Sequence, residues 1–319
     1  MEDYPRNVGE FEERFGSEAA CRAYLVKLRW PDGFLCPSCG GRRAWPIGRG
    51  DLMECSGCHR QTSITAGTIF EGTRKPLRMW FRAMWWVTSQ KTGVSALGLQ
   101  RVLGLGSYQT AWAWLHKLRR AMVRPGWERL SGRVEVDETY VGGHERERGG
   151  GVRGRGTTRK SLVAIAAEED GTGIGRIRMQ RINGADRANL ERFIAATIEP
   201  GSVIHTDGWR GYARIEALGY PHKVARLNRT DDPAHESMPR VHRVASLLKR
   251  WLLGTHQGAV GHEHLEYYLD EFTFRFNRRR SQSRGKLFYR LVQQAVAVEP
   301  VPYHRLIGRS GKPQPVGDT

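Results

Sequence analysis

Two stretches decide the fold: Arg133-Val-Glu-Val-Asp-Glu-Thr-Tyr-Val-Gly-Gly143 and Val203-Ile-His-Thr-Asp-Gly-Trp-Arg-Gly-Tyr212. In each, a short run with β-branched apolar residues leads into an aspartate, the pattern of a strand that delivers a carboxylate at its end. The first predicts a strand over 133–136 ending at Asp137, and the second a strand over 202–206 ending at Asp207. Between them, 161–167 and 175–182 read as strands joined by the turn Glu169-Asp-Gly-Thr-Gly173, and 186–198 reads as a helix. Helical spacing returns over 240–253, 262–278 and 285–296. Three strands, then helix, strand and helix, predict an α/β domain with a mixed sheet flanked by helices.

A carboxylate leaving a buried strand is rigid and costs desolvation, which a divalent cation offsets. Two such strands side by side would place Asp137 and Asp207 on one pair of Mg²⁺ or Mn²⁺ ions, the arrangement suited to phosphodiester chemistry. A pair of unrelated turn aspartates beside glycine gives the same local pattern. A third ligand is expected from the helix over 240–253. Its apolar seam is Val241, Val244, Ala245, Leu248, Trp251 and Leu252, and His242, Ser246 and Lys249 share its flank. His242 follows Asp207 by thirty-five residues. His205 sits two residues before Asp207 and on the same side of its strand.

Upstream, Cys36-Pro-Ser-Cys39 and Cys55-Ser-Gly-Cys58 form two CxxC units separated by fifteen residues. Four thiolates in two short knuckles fit a structural Zn²⁺ with no open coordination position. Gly40 and Gly57 would allow the tight turns. Cys21, the fifth cysteine, falls on an amphipathic helical lead-in with Phe15, Tyr24, Leu25 and Leu28. After the knuckles, 75–125 turns strongly helical. Ala96 to Leu103, a Gly104-Leu-Gly-Ser107 turn and a helix from Tyr108 to Arg120 read as a helix-turn-helix with Ser107 as N-cap, or as a plain helical hairpin. Gln109, Thr110, His116, Lys117, Arg119 and Arg120 are its candidate DNA contacts.

Lys and Arg number 51 against 33 Asp and Glu, a formal charge of +18. Such an excess favours a polyanionic partner, because each neutralised phosphate releases counterions. No apolar run reaches the roughly 18 residues that span a bilayer, and the amino terminus lacks signal-peptide order. CxxC pairs rather than a disulfide framework fit a reducing compartment. The expected setting is bacterial, cytoplasmic and nucleoid-associated. A Gly/Arg-rich loop over 144–160 is too rich in glycine for a helix; it would serve as a DNA clamp or as a solvated connection.

Several further stretches make a resemblance specific: Cys36-Pro-Ser-Cys-Gly40; Thr65-Ala-Gly-Thr-Ile-Phe70 with Lys75-Pro-Leu77 and Trp80; Val136-Asp-Glu-Thr-Tyr-Val-Gly-Gly143; His205-Thr-Asp-Gly-Trp-Arg-Gly-Tyr212; Ser246-Leu-Leu-Lys-Arg250 with Gly254; and Tyr268-Leu-Asp-Glu-Phe272 with Arg275-Phe-Asn277. In this order they resemble the DDE transposases of bacterial insertion sequences, in the branch with an amino-terminal zinc ribbon. The resemblance implies an RNase H-like domain that cuts DNA at terminal inverted repeats and joins the ends to target DNA. It assigns Asp137 and Asp207 to the first two acids and Lys249 to the basic residue after the third. The third acidic position is occupied by His242, with Glu236 as the alternative ligand. Imidazole suits Mn²⁺ better than Mg²⁺, which prefers oxygen.

The expected domains are a helical lead-in and zinc ribbon over 1–72, a helix-turn-helix-like DNA-binding domain over 73–128, a catalytic domain over 129–300 and a basic tail over 301–319. Two DNA ends handled together imply at least a homodimer on DNA. A transposase relic kept as a DNA-binding regulator, and an RNase H-like nuclease that never joins strands, are the competing readings.

Overall fold

The computed structural model describes residues 3–123, 128–142, 160–225, 237–258 and 260–307. The chain divides into two compact units, Met1–Pro125 with Ser281–Thr319, and Gly126–Arg280.

In the first unit, helices α1 (Val8–Arg14) and α2 (Glu18–Arg29) start at Asn7 and Ser17, whose side chains accept from the amides of Glu10 and Ala20. Cys21 is fully buried in α2, and burial pushes its thiol up to about 12, as befits a packing residue. An antiparallel sheet follows, β1 (Ala44–Ile47), β2 (Leu52–Cys55) and β3 (Gln61–Ser63), in that order. Helix α3 (Leu77–Ser89) is apolar nearly all round and is buried accordingly. Helix α4 (Ala96–Leu103) is capped by Ser95 and ended by Gly104 in the left-handed conformation; α5 (Tyr108–Arg120) begins at Ser107, whose hydroxyl accepts from the amide of Thr110.

The second unit is a mixed sheet between two helical layers. Strand β4 (Arg133–Val141) lies between β5 (Ser161–Asp170) and β7 (Val203–Thr206), β6 (Gly173–Ile182) borders β5, and β8 (His222–Val224) borders β7. The pairs β4–β5 and β5–β6 are antiparallel, whereas β4–β7 and β7–β8 are parallel. This order, 3-2-1-4-5 counted within the unit, is that of an RNase H-like sheet. Helix α6 (Arg187–Thr197), between β6 and β7, covers one face with Leu190, Phe193 and Ile194 against Val134, Val136, Ala164 and Ala166. Helices α7 (Pro239–His256) and α8 (Leu265–Asn277) cover the other, with Val241, Val244, Leu248 and Leu269 against Val163, Ile165 and Ala167.

Two expectations are corrected, and one strand was missed. The first strand does not end at Asp137 but runs on to Val141, because Thr139, Tyr140 and Val141 pair with Val163, Leu162 and Ser161 of β5. Strand β8 escaped notice, being three residues long and too short to show alternation. The helix expected at 285–296, α9 (Arg284–Ala295), belongs with the amino-terminal unit and not with the sheet. Its Phe288 is fully buried among the rings of Phe11, Phe15, Tyr24, Phe81 and Trp85. Of the supposed tail, Val301 and Leu306 are buried and α10 (Tyr303–Ile307) is helical; 308–319 lie outside the described residues.

Candidate functional site

The parallel pair β4–β7 brings the two aspartates together. Glu135 is in register with His205; Asp137 stands two residues further on in β4, on the same face as Glu135, and Asp207 directly follows the last residue of β7. Asp207 leaves β7 in a tight turn. Its Oδ1 accepts from the amide of Trp209 at 2.9 Å, and Gly208 takes φ +80 where a Cβ would lie 2.5 Å from Val224 Cγ1. Asp137 is 21% exposed. Burial raises its carboxyl above the usual aspartate range; Asp207 adds to the rise, while the backbone amide of Glu138, His242 and Lys249 counter it.

His242 reaches this point from the first turn of α7, its Nδ1 3.9 Å from Asp137 Oδ2. Its Nε2 is buried and has no hydrogen-bond partner among the described residues, as befits a donor that a cation would complete. Lys249, two turns on, is exposed and close enough to act on Asp137. His242, Lys249 and Asp207 thus all act on Asp137. Two carboxylates and an imidazole are donor types that suit a divalent cation, although among the described residues only the four cysteines bring three or more ligand atoms within 4.8 Å of one another. Glu236, the alternative third ligand, lies outside the described residues, as does the Gly/Arg-rich loop apart from Lys160.

Glu138 projects from the opposite face of β4. Its Oε1 accepts from the hydroxyl of Tyr212 at 2.5 Å. Burial drives its carboxyl up to about 7, assisted by Asp137 and Asp207 and opposed by the Tyr212 bond. Tyr212 in turn is fully buried, which lifts its phenol well above the ordinary range. Neither Tyr212 nor Glu135 was assigned a role from the sequence; Glu135 is 1% exposed although it looks like the solvent-facing member of an alternating strand. Trp209 packs against the α6-side core and donates Nε1 to the carbonyl of Ala185. His205 is half-buried beside Glu135, and burial lowers its imidazole. Glu271 is paired with Arg275, whereas Arg278 and Arg279, just past the end of α8, lie over the rings of Phe274 and Phe276.

The four knuckle cysteines form a second centre. Their sulfurs all lie within 4.8 Å of one another, with Cys36–Cys58 and Cys39–Cys55 each at 3.6 Å. Zinc–sulfur bonds of ~2.3 Å in a tetrahedron give edges of roughly 3.8 Å, so the set fits Zn²⁺. The knuckles are built alike: the amides of Gly40 and His59 donate to the carbonyls of Cys36 and Cys55, both at 3.0 Å. Gly40 has φ +71, but in the second knuckle the left-handed residue is His59, φ +54, and not Gly57. The glycine that closeness requires is Gly41, whose Cβ would stand 3.1 Å from Cys55 Sγ and 3.3 Å from Cys39 Sγ. Backbone amides of Cys39 and Ser38 hold the Cys36 thiol down to about 6.

The expected DNA-reading helix is corrected in part. In α5, His116 and Arg119 are buried, at 0% and 2% exposure, because the helix turns apolar residues to most sides: Ala111, Ala113, Trp114, Leu115 and Leu118 are all buried. Gln109 is exposed; Thr110, Lys117 and Arg120 are half-buried.

Residues 129–277 match the ISXO2-like transposase domain, and residues 16–61 match the transposase zinc-ribbon domain. The chain carries both domains of a zinc-ribbon transposase. A protein of Halobacterium salinarum, described as an uncharacterized protein in transposable element ISH50, is 28% identical over 277 residues, which cover 82% of this chain and 91% of that protein. No solved structure matches. The transposase domain spans every residue of the Asp137 site, and the ribbon domain includes all four cysteines. No helix among the described residues of this transposase is long and apolar enough to cross a membrane.

Proposed function

We propose that this transposase cleaves DNA at the terminal inverted repeats of an insertion sequence and joins the freed ends to target DNA. One observation supports the reading: Asp137 lies on β4, Asp207 directly follows the parallel neighbour β7 and acts on the Asp137 carboxyl, and His242 is 3.9 Å from Asp137. Asp137, Asp207 and His242 would hold the divalent cations, Mg²⁺ or Mn²⁺. When bound, such ions activate an attacking oxygen and stabilise the leaving oxygen of a phosphodiester.

The chain's own groups do the rest. Lys249 offers a mobile cation to a DNA phosphate at the edge of the site. Tyr212 holds Glu138 on the far face of β4, so Asp137 is the carboxylate that this part of the strand turns toward α7. No tyrosine or serine nucleophile is assigned; Tyr212 is buried, and both steps are direct phosphoryl transfers. The zinc ribbon, with Gln109, Thr110, Lys117 and Arg120 of α5, would engage the terminal repeats, and two chains would hold two ends. Arg119, being buried, is withdrawn from that set.

The test uses the purified full chain with a labelled terminal repeat, a plasmid target and Mg²⁺ or Mn²⁺. Strand-transfer products are expected. Cleavage without joining would make the protein a nuclease, and retarded DNA with neither would make it a DNA-binding regulator.

A further inference from the structure

We infer that Glu135 is a positioning residue of the metal site: it fixes the first turn of α7, and with it His242, at a set distance from Asp137. The inference rests on the proposed reading of Asp137 and His242 as metal ligands.

Helix α7 opens at Met238-Pro239, and Met238 makes no side-chain cap. The amides of Arg240 and Val241 would therefore lack partners. Glu135, from the neighbouring strand, supplies the cap. Its Oε2 accepts from the amides of Arg240 at 2.8 Å and Val241 at 3.0 Å, and its Oε1 accepts from Arg240 Nη1 at 2.8 Å. The guanidinium then reaches the β5–β6 end of the sheet, through Glu169 at 3.2 Å and the carbonyls of Gly171 and Gly173, each at 3.0 Å. Strand and helix are thus tied at one point by a carboxylate with three donors and a side chain 1% exposed.

The position of this tie decides its meaning. Asp137 follows Glu135 by two residues on the same face of β4, and His242 follows Arg240 by two residues in the same helical turn. The tied pair therefore sets the spacing of the donor pair next to it. Stability accounts for part of it, because the two capped amides would otherwise lack partners, but the ion pair itself need not stabilise, since a buried ion pair replaced by well-packed apolar residues is often neutral or stabilising. An apolar residue at 135 would still bury the strand, but it would leave the register and tilt of the His242 turn unspecified. Fixing the direction of a metal ligand through groups behind it is a recurrent use of such buried bonds.

The experiment titrates the full-length wild type, Glu135→Gln and Arg240→Lys with Mn²⁺, following free Mn²⁺ by its electron paramagnetic resonance signal, with circular dichroism melts in parallel. Glu135→Gln is expected to weaken Mn²⁺ binding by roughly tenfold or more, and the charge-keeping Arg240→Lys to stay within about threefold of wild type. Should Glu135→Gln fail to fold, Arg240→Met takes its place in the same titration. A folded Glu135→Gln that binds Mn²⁺ as tightly as wild type overturns the inference alone. A wild type that binds Mn²⁺ but joins no DNA ends overturns the strand-transfer reading alone. A wild type with no Mn²⁺ affinity overturns both.

Discussion

His242 Nδ1 stands 3.9 Å from Asp137 Oδ2, an imidazole set against a strand carboxylate where the resemblance leads one to expect another carboxylate. The pairing has a consequence for metal choice. Imidazole is a good ligand for Mn²⁺ and a poor one for Mg²⁺, which prefers oxygen. The wild type is expected to work better with Mn²⁺, and His242→Glu to shift the Mn²⁺-to-Mg²⁺ activity ratio toward Mg²⁺ by about tenfold. Cleavage of a labelled terminal repeat at equal concentrations of the two ions checks this. An unchanged ratio in a folded variant would remove His242 from the ligand set.

The aspartates should be less forgiving. Asp137→Asn and Asp207→Asn keep the shape of the turn and strand but remove the charge that a cation needs. Each is expected to lower DNA cleavage by more than the roughly 100-fold that losing an outer partner of a metal ligand costs. Retardation of the same DNA should be unaffected. Cleavage at the wild-type rate by either variant would show that the chemistry lies elsewhere.

How much of this was legible in the sequence follows from which signals are local. The knuckle cysteines were legible, and so were the strands that lead to the two aspartates, because short spacings and β-branched runs carry them. Arg119 was misread, because a basic residue on a helix shows its charge but not whether its side faces water; the burial of α5 on most sides is a tertiary fact. Glu135 was passed over for the same reason. Its neighbours Val134 and Val136 mark one buried face, and nothing local reveals that α7 buries the other. The assignment of α9 to the amino-terminal unit depends on rings contributed by residues more than two hundred positions away.

The ribbon should depend on its metal. The buried members of its apolar cluster are Phe34, Cys36 and Cys55, with Trp30, Ala44 and Met53 half-buried against them; two of the three buried members are themselves candidate ligands, so little fully buried core remains to hold three short strands. Zinc binding should therefore supply folding free energy directly. Elemental analysis is expected to find one zinc per chain, and Cys58→Ser to lose it. Limited proteolysis after chelation should cut within 36–58 at sites the zinc-loaded chain protects. Identical cleavage patterns with and without chelator would refute the structural role.

A pH dependence is expected on α8, away from the metal site. Glu266 accepts from the amide of Arg181 at 2.7 Å, yet burial raises its carboxyl from 4.5 to about 7. A raised folded value means that the native chain holds a proton which the unfolded chain has already released. The sign follows: this group's contribution is favourable at low pH and declines as pH climbs from about 4.5 to about 7. Gln at this position mimics the protonated acid and can still accept from Arg181. Glu266→Gln should thus flatten the fall in the urea midpoint between pH of about 5 and about 8. Parallel curves for wild type and variant would show that Glu266 titrates normally.

Phe288 tests the division of the chain. If residues 281–300 completed the sheet domain, removing this ring would weaken that domain. The ring is instead fully buried against Phe11 at 5.4 Å, Phe15 at 5.5 Å and Phe81 at 5.7 Å, all from the amino-terminal helices. Truncating a buried phenylalanine costs about 3–5 kcal/mol through lost transfer and the cavity left behind. Phe288→Ala should lower the unfolding midpoint and, in hydrogen exchange, release amides of α1, α2 and α3 before those of β4 and β5. Early loss of protection in β4 and β5, with the amino-terminal helices unaffected, would place α9 with the sheet after all.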